Sequence, residues 1–176
     1  MKYTLKVSDR ARVMRLAVYP DGAVVVTAPR FFAVDAIESF VTKHSEWVRD
    51  KVERTESRNV VRIARKDIPA LKERAHALAN ERCEHFARAY GLSYNKISIR
   101  AQKTRWGSCT KTGNLSFNYK VAILPARLAD YIFVHEICHL GVFNHSGQFW
   151  ELVAREIPDH KTIRKEVRTI VTVFEK

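Results

Sequence analysis

The sequence predicts a mixed α+β fold, and three observations carry that expectation. Residues 3–28 hold short runs in which apolar and polar side chains alternate at the strand period. Residues 67–91 and 125–141 instead place apolar side chains three and four apart, the spacing of helices with one buried face. Between those helices lie brief β-branched and aromatic runs punctuated by turn residues. With 176 residues and 46% hydrophobic content the chain can bury one core, so a single domain over residues 1–176 is expected.

Residues 3–7, 13–19 and 23–28 read as strands, and Pro20-Asp21-Gly22 between the second and third is a strong turn signal. An antiparallel β-meander over residues 1–30 is the expected arrangement. After Pro29 the period changes. Val34, Ile37, Val41, Trp47 and Val48 recur at helical spacing, which predicts a connecting helix over residues 33–58. Asp67-Ile68-Pro69 marks the next helix start, and Gly91 its end, with Leu71, Ala75, Ala79, Cys83 and Phe86 on the inner face. A strand at residues 96–100 follows, then a hairpin over 105–119 that turns at Lys111-Thr112-Gly113-Asn114. Pro125 opens a further helix; Ser146 or Asn144 caps another, which Pro158-Asp159 breaks. The terminal segment carries Ile163, Val167, Ile170 and Phe174 at helical spacing, although its β-branched end at 169–173 also suits a strand. Residues 67–176 together form the expected main body of the domain.

Composition narrows the setting. No apolar run reaches membrane-spanning length, and the first residues lack the apolar stretch of a secretory signal, which predicts a cytoplasmic protein with no membrane partner. Cys83, Cys109 and Cys138 cannot all pair and match no zinc knuckle, so reduced thiols are expected. The net charge of +12 favours either a polyanionic partner, including weak nucleic-acid association, or simply a solvated basic surface.

The most informative stretch is His135-Glu136-Ile137-Cys138-His139. On a helix, residues four apart share a face, so the imidazoles of His135 and His139 can converge on one metal ion. Glu136, beside the first histidine, can reach a water at the metal's open position. Cys138 points about 100° away from His139 and is expected to pack. His145 is the favoured third ligand because Gly141 offers a helix stop between it and His139; Glu151 and Glu156 are the alternatives. His76 and His85 lie nine residues apart on one helix and read as surface or packing residues.

Four separated motifs carry a family resemblance. Arg105-Trp106-Gly107-Ser108-Cys109, Leu115-Ser116-Phe117-Asn118-Tyr119, the segment from Pro125 through Asp130-Tyr131 to Leu140, and Asn144-His145-Ser146 with Phe149-Trp150 occur in order. Together with the Pro-Asp-Gly turn and Glu46-Trp47-Val48, they resemble the YgjP-like metallopeptidase family, a relative of the SprT-like and WLM zinc peptidases, over nearly the whole chain. The resemblance implies a zincin-like fold, Zn²⁺ held by His135, His139 and His145, and Glu136 as general base. It implies cleavage of a peptide or protein substrate. It also implies an alternative, because one bacterial member is described as a UTP pyrophosphatase, and a zinc-activated water can attack a phosphoryl centre of a nucleotide as well as a carbonyl. Either reaction needs an electrophilic helper. Arg105 is the first candidate, and Tyr131 or Tyr119 could donate to an oxyanion. Trp106 could stack on a base or plug the core, and Asn118 and Ser108 could fix the histidine rings.

Overall fold

β3 (Val24–Ala28) is the most apolar of the N-terminal strands, and its side chains alternate between buried and half-buried. That alternation places it at the centre of a three-stranded sheet, with β1 (Thr4–Val7) on one side and β2 (Arg15–Val18) on the other. The coordinates are a computed structural model that describes residues 2–56 and 58–175, without the side chain of Glu56. They fall into two compact units, one reaching Arg62 and including 169–175, the other running from Ile63 to Arg168.

In the first unit β2 and β3 form the expected antiparallel hairpin. Its turn needs a left-handed residue, which Gly22 supplies at φ 81°. The Tyr19 N–H donates to the Ala23 carbonyl at 2.8 Å to close it. The antiparallel meander itself is corrected. β1 runs parallel to β3, with Thr4 opposite Val25, because the chain between β1 and β2 crosses over and leaves β3 flanked on both edges. Val26 and Ala28 meet Ile37 and Val41 in the core of this unit, with Leu16 and Phe32 packed at its margin.

The expected connecting helix is two helices, α1 (Val34–Lys43) and α2 (Ser45–Glu56). His44 leaves helical geometry between them, at φ −104° and ψ 12°. Its Nδ1 donates to the Phe40 carbonyl at 2.7 Å, offering that oxygen a side-chain partner where a helix would continue. A strand that sequence periodicity did not reveal, β4 (Asn59–Ala64), pairs with β8 (Ile170–Glu175), so the β-branched C-terminal end is strand rather than helix.

The second unit begins with a 3₁₀ turn and α3 (Ile68–Tyr90), which carries Pro69 in its first turn and ends at left-handed Gly91. A second sheet follows in the order β5-β7-β6, from β5 (Lys96–Arg100), β6 (Gly107–Cys109) and β7 (Asn114–Asn118). β6 and β7 form the predicted hairpin, and β5 joins β7 in parallel. After a 3₁₀ turn come α4 (Ala126–Gly141), α5 (Gly147–Glu156) and α6 (His160–Thr169). α4 is buried on most of its circumference; Leu128, Ile132, Phe133, Val134 and Ile137 are all within 3% of full burial. Each such side chain contributes roughly 1.5–3 kcal/mol over exposure, so this helix is held against rotation about its axis. Phe133 meets Phe117 of β7 edge-on at 4.8 Å. Arg82 of α3 makes two bonds to Asp130 of α4, at 2.6 and 2.7 Å. Among the described residues no helix is long and apolar enough to cross a membrane.

Candidate metal centre

α4 carries His135 and His139 one turn apart, with ring centroids 4.9 Å from each other. The helix ends at Gly141, Val142 takes an extended conformation, and the returning chain delivers His145 before α5 starts after Ser146, whose side chain makes no capping bond. The Asn144 side chain accepts from the Ser146 N–H and shapes this turn. Each of the three histidines thereby offers a ring nitrogen within 4.8 Å of the others. The Nε2 atoms of His135 and His145 are 3.2 Å apart. Glu151 and Glu156, the alternative third ligands, lie outside the group.

The ring chemistry suits a cation. The Nδ1 of His139 donates to the Val142 carbonyl at 3.0 Å, which fixes the proton there and leaves Nε2 as a lone pair. Burial first, then His139, His145 and Arg164, push His135 down to about 3, so its imidazole is neutral at neutral pH. Three ring nitrogens this close to one another could hold a metal ion. Three imidazole donors without a carboxylate fit a borderline ion such as zinc and not calcium or magnesium. The Nδ1 of His135 is buried without a hydrogen-bond partner among the described residues, so no protein group fixes that tautomer.

Phe149 of α5 forms an apolar backing for all three rings, with centroids 4.5–5.0 Å away. Trp150 stacks on His145 at 5.7 Å and on His160 at 5.5 Å. Sequence reading placed both aromatics on this helix without their role as ring supports.

Glu136 is 6% exposed and lies under β6. Gly107 permits that approach: a β-carbon there would fall 2.6 Å from Glu136 Cγ and Oε1. Burial pushes the carboxyl up to about 8, with Arg105 opposing the shift. Arg105, Trp106, Tyr131, His135 and Glu136 line one cavity of about 260 Å³. Trp106 is therefore a half-buried wall of this cavity, not a core plug.

Asn118 has a different job from fixing a histidine ring. Its side-chain amide donates to the carbonyls of Gln102 and Arg105, at 2.7 and 3.2 Å, while its backbone N–H donates to Trp106. It ties the loop bearing Arg105 and Trp106 to β7. Tyr131 reaches the cavity with its ring 5.9 Å from His135, whereas Tyr119 is buried away from it. Burial raises the Tyr131 hydroxyl's pKa, against the pull of Arg164 and Arg168, so a proton remains for donation at neutral pH. Cys138 packs, fully buried, beside Tyr90, and His76 and His85 stand at the exposed surface of α3.

Two solved structures are similar to about half of this chain. The crystal structure of the metallopeptidase zymogen of Pyrococcus abyssi abylysin is 26% identical, with a TM-score of 0.48, over 52% of this chain and 92% of that one. The metallopeptidase zymogen of Methanocaldococcus jannaschii jannalysin is 20% identical, with a TM-score of 0.46, over 51% of this chain and 93% of that one. No curated protein matches. The sequence matches the family described as YgjP-like, metallopeptidase domain, over residues 12–70 and 63–169, so the chain that brings His135, Glu136, His139 and His145 together is a member of the YgjP-like metallopeptidase family.

Proposed function

We propose that the protein is a zinc-dependent peptidase in which His135, His139 and His145 hold the metal and Glu136 is the general base. The observation that carries this reading is the convergence of three imidazoles, one of which, His135, shares a cavity with the buried carboxylate of Glu136. A zinc ion bound by the histidines supplies Lewis acidity to a scissile carbonyl and lowers the pKa of a water. Glu136 takes the proton of the attacking water and returns it to the departing amine. Burial makes its carboxylate a stronger base than an exposed one, which matches it to work near neutral pH. The Tyr131 hydroxyl donates toward the developing oxyanion, and Arg105 orients an anionic part of the substrate.

An extended peptide is favoured because β6 stands at the edge of its sheet with Gly107 against Glu136. A free strand edge can pair with a substrate backbone. A cytoplasmic setting belongs to the same proposal, supported by three free cysteines.

The test is to incubate the zinc-loaded protein with a peptide library and read cleavage by mass spectrometry. Cleavage should stop on chelation and return with zinc. Glu136→Gln should keep one zinc per chain while hydrolysis falls on the order of 10²–10⁴-fold, and His145→Ala should lose the metal. Full hydrolysis by Glu136→Gln would remove the base assignment. Pyrophosphate release from UTP without peptide cleavage would replace the peptidase with the phosphoanhydride reading.

A further inference from the structure

The cavity beside Glu136 has a third wall. α6 contributes Arg164, Val167 and Arg168, so Arg105, Arg164 and Arg168 surround a space whose only carboxylate is Glu136. Several other helical arginines of this chain do meet a carboxylate: Arg54 with Asp50, Arg88 with Glu84, and Arg82 with Asp130. The one glutamate of α6, Glu166, is engaged by Arg127. Among the described residues, none of the three cavity arginines has a carboxylate within ion-pair distance.

That arrangement attracts an anion. Arg164 and Arg168 are four apart on one helix, where like charges repel and weaken the helix. Arg164 is also held in place, with its guanidinium 4.7 Å over the Trp150 ring, and Trp150 in turn stacks on His145. Ile132 and Val167 give the space apolar walls that suit an aliphatic stem. A planar guanidinium binds a carboxylate through two parallel hydrogen bonds, which makes arginine the fitting residue for this anion.

We propose that this cavity is a carboxylate subsite, seating an anionic group of the peptide immediately beside the scissile bond. The inference rests on the peptidase reading for the identity of its occupant. The carboxylate has two sources, an acidic side chain or the free C-terminus. Both present the same group to Arg105, Arg164 and Arg168.

The experiment uses the zinc-loaded full chain and matched peptides, each made in a cleavable and a reduced-amide, non-cleavable form. One pair differs by Glu against Gln beside the scissile position; the other by a free C-terminus against its amide. Calorimetric titration of the non-cleavable forms should show about tenfold tighter binding of the acid in one pair, as charge-assisted hydrogen bonds predict. A preference within the Glu/Gln pair assigns the side chain, and a preference within the acid/amide pair assigns the C-terminus. Arg164 and Arg168 are exposed, so their substitution should leave the fold intact by circular dichroism. The double variant Arg164→Gln, Arg168→Gln should reduce the preference to about twofold, and Arg→Lys at both positions should restore part of it. Equal binding of acid and neutral peptides overturns the subsite, as does an undiminished preference in the double variant. Displacement of the acidic peptide by inorganic pyrophosphate at a lower concentration than by glutarate also overturns it, in favour of a phosphate site. Acid-selective binding without any cleavage keeps the subsite and removes the peptidase reading.

Discussion

At Gly107 a single methyl group would occupy the space now filled by the Glu136 carboxylate. Gly107→Ala should therefore displace the base rather than the metal: activity falls on the order of 10²-fold, the effect of an ångström-scale misplacement, while zinc content by elemental analysis stays at one per chain. Loss of zinc in that variant would mean that β6 supports the histidines as well. A second residue-scale expectation concerns Cys83, whose thiol is pushed up from 9.0 to about 12, by burial first and by Glu136 second. Above pH 9 the unfolded chain gives up this proton while the folded chain keeps it, so stability declines as pH rises from 9 toward 12. Urea midpoints measured between pH 8 and 10.5 should fall more steeply for the natural protein than for Cys83→Ala. The approach of His135 and His139 was legible in the sequence because helix periodicity alone brings positions four apart together. The placing of Gly107, Arg164 and Arg168 around Glu136 was not, because it depends on long-range packing that no local period encodes.

Between elements, the Arg82–Asp130 pair joins α3 to the helix that carries the histidines, with both side chains only about a quarter exposed. Arg82→Ala leaves a partly buried carboxylate without its fork, and chemical denaturation should register a loss of about 1.5–3 kcal/mol. A loss below about 0.5 kcal/mol would place this pair with ordinary surface ion pairs. Sequence periodicity found most helices, including the ends of α3 and α4, where Pro69, Gly91 and Gly141 punctuate the pattern. It missed the break at His44, because the interruption is a side-chain bond and not a glycine or proline. It also gave β1 the wrong neighbour orientation, since alternation identifies a strand but says nothing of the direction of its partner. β4 escaped for a related reason, as its apolar run is short and follows directly on a charged helix.

For the molecule as a whole, metal binding is linked to stability, because a ligand that binds only the folded state shifts unfolding by mass action. At a free zinc concentration near a thousand times its Kd the gain is about 4 kcal/mol, which corresponds to roughly 10 °C for a chain of this size. Chelation should lower the thermal midpoint by that amount, and His145→Ala should show no zinc-dependent shift; an equal shift in the variant would place the metal elsewhere. The charge of +12 adds a salt-dependent attraction to anions at the surface but identifies no partner by itself. The distribution of the site along the chain has a further consequence. His135 and His145 are ten residues apart, and Glu136 lies between them, so the proposed metal ligands close a short loop at small entropic cost. Gly107, Arg105 and α6 reach the same place only after distant segments have packed. In the proposed site metal occupancy and catalytic competence are therefore separable, and a folded sample with one zinc per chain still lacks activity if Gly107, Arg105 or α6 is out of place.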